Sequence, residues 1–245
     1  MYDSLPSVDV SSLQERVYQS LRQALLSGHF KPGDILSIRK LAESLGTSAM
    51  PVREALKRLM AEKVLVQSPN RQIRVTPFDP RLHEEFVRIR MRLEGYAAER
   101  AALMRDPVVI PRLEVLNVEM IEAALASQSD AALEANQKFH FEIYRATGYP
   151  QLVDILENLW LRTGPFLATI GERPANLPKF FENGFQCHKR AIAAILARDG
   201  KAARHAIALD IRAGTLFLRK NYDPLRPSRS PVGSPFESFE GSRSL

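Results

Sequence analysis

The sequence predicts a mainly α protein, an N-terminal winged helix-turn-helix followed by a C-terminal antiparallel helical bundle. Three observations carry that prediction. Apolar residues recur at intervals of three and four through most of the chain. The stretch GTSAM at 46–50 interrupts that rhythm with Gly and small hydroxyl residues between two short helices, and β-like runs occur only near the front, VLVQ at 64–67 and IRV at 73–75.

Taken in order, Ser11 and Ser12 cap a first helix whose face is Val17, Leu21, Ala24 and Leu25, ending near Ser27 and Gly28. KPGD at 31–34 is a turn. Ile38, Leu41, Ala42 and Leu45 make a short second helix, Gly46 ends it in a left-handed conformation, and Ser48 caps the third. That third helix runs to about Ala61, packing through Val52, Ala55, Leu56 and Leu59 and leaving Arg53, Lys57 and Arg58 on its other faces. The two short strands close around SPNRQ as a wing.

Two short helices joined by a tight Gly turn form a helix-turn-helix. Such a unit sets its third helix in the major groove of double-stranded DNA, and the wing's Arg71 and Arg74 would rest on phosphates or in the minor groove. Most helical Lys and Arg merely solvate a surface; here the turn, the wing and the charge favour the groove. Lys and Arg total 34 against 28 Asp and Glu, a net +6, and residues 1–76 hold 11 against 7 while residues 77–220 hold 20 against 18.

TPFDP at 76–80 holds two prolines and disfavours helix. It divides the chain into a DNA-binding domain at 1–76, a linker at 77–81 and a helical domain at 82–220; residues 221–245, rich in Pro, Ser and Gly, are expected to be a disordered tail. The single Cys187 excludes an internal disulfide. Without a long apolar run or a signal-like start, the expected location is cytoplasmic, with no membrane contact.

In the helical half, Phe86, Ile89, Leu93, Ala97 and Ala101 mark a long helix over 81–104, and further helices are predicted over 107–127, 130–147, 150–170, 178–197 and 200–220. Asn136 and His140 are four apart and share one helix face. His188 and Asp210 lie equally far from the RDGK turn at 198–201, so they stand level across a helical hairpin. The four residues form a candidate metal set, and their chemistry suits zinc, nickel, manganese or iron; single histidines are more often satisfied polar residues. Arg90 fits two roles, clasping a ligand carboxylate or pairing with Glu94. Tyr144 and Trp160 are expected in core or pocket wall, His29 and His83 at surface or loop positions, and His205 outside the cluster.

KPGDILSIRKLAESLGTSAMPVREALKRL resembles the DNA-binding domain of the GntR superfamily of bacterial transcription regulators. Residues 82–218 resemble the all-helical effector domain of its FadR-like branch in Arg90-x-x-Leu93-Glu94, Phe139-His140, Thr147-Gly148-Tyr149 and His188 followed by Ile192, Ala193 and Asp199. The resemblance implies that Arg39 and Arg53 contact an operator, with Thr47 and Ser48 on phosphates. It implies a metal held by one Asp and three His in many members; this chain has Asn136 at the Asp position and Asp210 where His is usual, which keeps the ligand charge but weakens one donor. Ala49 replaces a usual Arg, and Lys63 and Gln72 stand where Gly is common.

The expected function is that of a homodimeric repressor without organic cofactor, released from a palindromic operator by a small organic acid. The rivals are a metal-free acyl-CoA-type sensor, against which His140 and His188 argue, and a metal-dependent hydrolase, for which no nucleophile or base accompanies the cluster.

Overall fold

The computed structural model describes residues 13–104, 108–171 and 174–221. The cap assigned to Ser11 and Ser12, and the tail after Asn221, lie outside the described residues. The front consists of α1 (Leu13–Leu26), β1 (Ile35–Leu36), α2 (Ile38–Ser44), α3 (Ala49–Ala61), β2 (Leu65–Gln67) and β3 (Ile73–Val75). Behind it come α4 (Pro80–Met104), α5 (Val109–Leu125), α6 (Ser129–Arg145), α7 (Pro150–Gly171), α8 (Leu177–Leu196) and α9 (Gly200–Asn221).

In the front unit α1 packs across α3, and Leu21 and Leu25 of the one and Val52, Leu56 and Leu59 of the other are buried in the core. Gly46 takes φ +59°, and the Thr47 N–H reaches back to the Ala42 carbonyl at 2.9 Å, closing α2 so that α3 can start at a new angle. A side chain at Gly46 would meet no neighbour, so the positive φ alone explains glycine there. The same closure recurs after α3 with Lys63 at φ +61°, where the Val64 N–H reaches the Leu59 carbonyl. The wing turns at Arg71, also φ +61°, one residue before the Gln72 expected from the family pattern.

Three differences from expectation appear in this unit. The wing sheet has three strands in the order β1-β3-β2, because residues 35–36 pair with Ile73 and Arg74. Ser48 occupies the N-cap of α3 with extended backbone, yet its hydroxyl makes no capping bond; Ser37 instead accepts from the Lys40 N–H at 3.4 Å to cap α2. The Thr47 hydroxyl is buried without a partner.

In the bundle, α4 lies along α9, α5 between α6 and α8, and α8 along α9. Asp199 opens α9 by accepting from the Ala202 N–H at 2.9 Å, so the RDGK turn joins the last two helices as an antiparallel hairpin. Among the described residues no strand occurs after β3, and no helix is long and apolar enough to cross a membrane.

The two units meet where α1 crosses α7. Arg22 pairs with Glu157 at 2.8 Å. A Cβ on Gly164 would lie 2.1 Å from the Leu25 carbonyl oxygen, so only glycine lets α1 close on α7 at this point. Pro165 follows inside the helix.

Candidate functional site

The bundle interior brings His140 of α6, His188 of α8 and Asp210 of α9 together, one ligand atom of each lying within 4.8 Å of the others. His140 Nε2 is 3.1 Å and His188 Nε2 3.8 Å from the same Asp210 oxygen. The equal distance of His188 and Asp210 from the hairpin turn thus translates into a real juxtaposition. His188 is completely buried, stacks on Phe139 at 3.7 Å between ring centroids, and directs Nδ1 to the Asn117 amide oxygen at 3.2 Å.

That last contact fixes the imidazole. An amide oxygen accepts only, so His188 Nδ1 carries the proton and Nε2 turns a lone pair toward Asp210. No hydrogen-bond partner satisfies His188 Nε2. A lone pair on a buried imidazole facing a carboxylate across 3.8 Å is a donor set that fits a cation. Burial lowers the His188 pKa, opposed by Asp210, so the ring stays neutral and able to ligate. Asn117 carried no signal in the sequence beyond being a polar residue on an apolar helix face.

Around the cluster lies a cavity of about 570 Å³, part of it open to solvent, whose wall includes Asn136, His140, Asp210 and Arg90. Asn136 therefore faces the same space as the cluster. Of the two roles the sequence left open for Arg90, the structure shows the pairing with Glu94. Its Nε donates to Glu94 at 2.5 Å while the residue also lines the cavity. Glu94, with no exposed surface, accepts from Tyr144 as well, and Trp160 donates to the Tyr144 oxygen at 2.8 Å. Burial disfavours the Arg90 charge, but Glu94 outweighs it and raises the pKa. Tyr144 stands behind this wall, holding Glu94 rather than facing the cavity; Trp160 is both core and wall.

His83 departs from expectation. It sits buried in the first turns of α4, 7% exposed, with neither ring nitrogen hydrogen-bonded, packed against Phe78 and Phe166. His29 is the loop residue expected, tied to Ser27 at 2.8 Å.

On the front unit, Arg53 and Lys57 project from the exposed face of α3, and Arg53 makes no ion pair among the described residues. Lys57 is tied to Glu54 at 2.8 Å and the 85%-exposed Arg39 to Glu43 at 3.6 Å. Ser48 is exposed at the start of α3, whereas Thr47 turns its hydroxyl inward. On the wing Arg71 is exposed, and Arg74 is half-buried and held by Gln72 at 2.7 Å.

Comparison with known proteins agrees with both units. Residues 13–75 match the family described as bacterial regulatory proteins, gntR family, and residues 85–213 match the FCD domain. The chain is 32% identical over 214 residues to the HTH-type transcriptional regulator McbR of Escherichia coli, covering 86% of this chain and 95% of that one. The solved structure of E. coli McbR/YncC superposes with a TM-score of 0.77 over 86% of this chain and 99% of that one. The galactonate operon transcriptional repressor of E. coli is 24% identical, with 84% and 96% covered. A GntR structure from Rhodococcus, 17% identical with 86% and 99% covered, shares the fold at a TM-score of 0.68. These relatives are regulators, which removes the hydrolase reading. A front unit and a bundle that each match their model, in the same order and along nearly the whole of a 32% identical relative, make this chain a member of the GntR family of DNA-binding transcription regulators, with an FCD domain behind its winged helix.

Proposed function

We propose that the chain is a ligand-responsive transcription regulator, acting as a homodimer in the cytoplasm on a palindromic operator and repressing until a small carboxylate enters the bundle. The single observation that carries the ligand-responsive part is the orphaned lone pair of His188 Nε2 facing Asp210 beside a cavity that Arg90 also lines. His140, His188 and Asp210, with Asn136 as a weaker neutral donor, would hold zinc, nickel, manganese or iron. Bound there, the metal supplies a positive charge for an acid's oxygens, and the outer nitrogens of Arg90 offer a second contact for the same anion. The name of the galactonate operon repressor fits an effector of this hydroxy-acid class. Retained histidines favour this over an acyl-CoA-type sensor.

On DNA, Arg53 and Arg39 would read bases and the exposed Ser48 and the free N–H groups of α3 would meet a phosphate. Lys57, Arg71 and Arg74 would add backbone contacts, while the buried Thr47 hydroxyl serves the backbone less directly. A dimer matches two half-sites by its own two-fold symmetry. The effector acts only through its different affinity for two arrangements of the heads.

Elemental analysis of untagged protein beside His188→Ala tests the site. Stoichiometric metal in the first and none in the second is the expected result, with operator binding retained and the effector response blunted. Metal in neither, after supplying zinc, nickel and manganese, would leave the bundle to bind its effector through Arg90 and the histidines alone.

A further inference from the structure

Beneath the wing lies a second cleft, of about 460 Å³ and partly open, that neither the DNA face nor the metal cluster uses. Its walls come from both units: Val64 and Val75 at the base of the wing, Phe86 on α4, Pro165 and Phe166 on α7. The lining is mostly apolar, yet it contains two polar groups whose hydrogen-bonding or charge is not spent inside the protein. Arg162 is half-buried with its guanidinium 4.6 Å above the Phe86 ring and makes no salt bridge among the described residues. His83 is 7% exposed with both nitrogens unpartnered. A buried polar group without a partner costs free energy that a ligand can recover.

We propose that this cleft is a second small-molecule site, taking a compact monocarboxylate with an aromatic or similarly flat apolar body. The carboxylate would be received by Arg162, with the neutral imidazole of His83 donating from one nitrogen. Prolines and phenylalanines supply flat apolar walls, and one cation suits one negative charge. Charges near His83 agree in sign: Arg90 and Arg219 outweigh Glu84 there, and burial together with these cations lowers its pKa to about 4. Asp79 is the one carboxylate in the lining. Its Oδ1 is committed to the start of α4, accepting from the Arg81 N–H at 2.8 Å and the Leu82 N–H at 3.2 Å. Glu85 is the carboxylate that acts on Arg162 from outside the lining.

Occupancy has a defined consequence. A ligand wedged between the wing base and α7 fixes the head on the bundle. His83 and Phe166 also line the metal-side cavity, so the two sites share a wall and each biases the other's affinity. The inference does not require metal in the bundle.

The test is a ¹⁹F NMR titration of 4-fluorobenzoate into the full-length protein, beside its neutral twin 4-fluorobenzyl alcohol. Saturable binding of the acid is expected, about tenfold or more tighter than the alcohol, and weakened about tenfold by Arg162→Ala with partial recovery in Arg162→Lys. His83→Phe fills the same space without a donor and is expected to weaken the acid several-fold. Zinc uptake measured in parallel on Arg162→Ala should match wild type, which keeps this site's failure separate from that of the cluster. No saturable binding at millimolar acid, equal binding of the alcohol, full affinity in Arg162→Ala, or displacement by loss of His188 rather than Arg162 would each overturn the proposal.

Discussion

The winged helix and the bundle treat charge in opposite ways. On the front unit Arg53 stands in solvent without an ion pair among the described residues, and Arg39 is 85% exposed beside a loose partner. In the bundle Arg90 is 8% exposed and Glu94 fully buried, joined to each other, to Tyr144 and through it to Trp160. Charges kept in water stabilise the fold little and remain free for an external polyanion. Charges taken out of water must be paired, and the pairing then fixes the shape of a cavity. One chain thus separates a surface whose charges stay available from an interior whose charges are spent on shape.

The sharpest way to break the contrast is Glu94→Ala. It leaves the nearly buried Arg90 and the Tyr144 hydroxyl without their shared acceptor, and a loss of about 3–5 kcal/mol in urea unfolding is expected; a loss below about 1 kcal/mol would mean the network is solvated in practice. Arg53→Ala is the mirror experiment. It should cost about 1–3 kcal/mol of operator affinity per half-site by fluorescence anisotropy, with the unfolding midpoint unchanged. Affinity equal to wild type would remove α3 as the reading helix.

The smallest effect concerns His83, which belongs to neither pattern. Its pKa is lowered to about 4 in the fold, below the ordinary value of 6.5, by burial first and by Arg90 next. The neutral form is favoured in the native state, so its contribution is fully present above pH 6.5 and lost as pH falls toward 4. The loss is on the order of 1–2 kcal/mol, less than the whole shift implies because the ring borders two clefts that reach solvent. His83→Phe should therefore shrink the difference between urea midpoints at pH 7 and pH 5 and raise stability at both. An undiminished difference would assign the acid sensitivity to other groups, His188 first, whose pKa burial also lowers.

How far these features could be read beforehand follows from how local they are. The helices, the Gly46 turn and two wing strands rest on spacings within a few residues, and they appear where the periodicity places them. The level of His188 with Asp210 was legible because a hairpin turns sequence distance into height. By contrast, β1 is only two residues long and exists because residues 35–36 find Ile73 and Arg74 across the unit. The failure of Ser48 to cap, the burial of His83 between Phe78 and Phe166, and the orientation of His188 by Asn117 all depend on partners distant in sequence or on a single rotamer. Glu94 was visible as a helical neighbour of Arg90, but not as the acceptor for Tyr144, fifty residues away.

The crossing at Gly164 bears on anyone who would graft this bundle onto a foreign winged helix to make a biosensor. The joint is a backbone-to-backbone fit between the last turn of α1 and α7, with the Leu25 carbonyl where a methyl would otherwise sit. A chimera cut at the prolines of 76–80 would bring in another protein's first helix and another crossing angle, and could report ligand binding without moving its DNA-reading half. A working graft would keep residues of α1 through Leu26 together with α7, and exchange only the reading helix and wing between them.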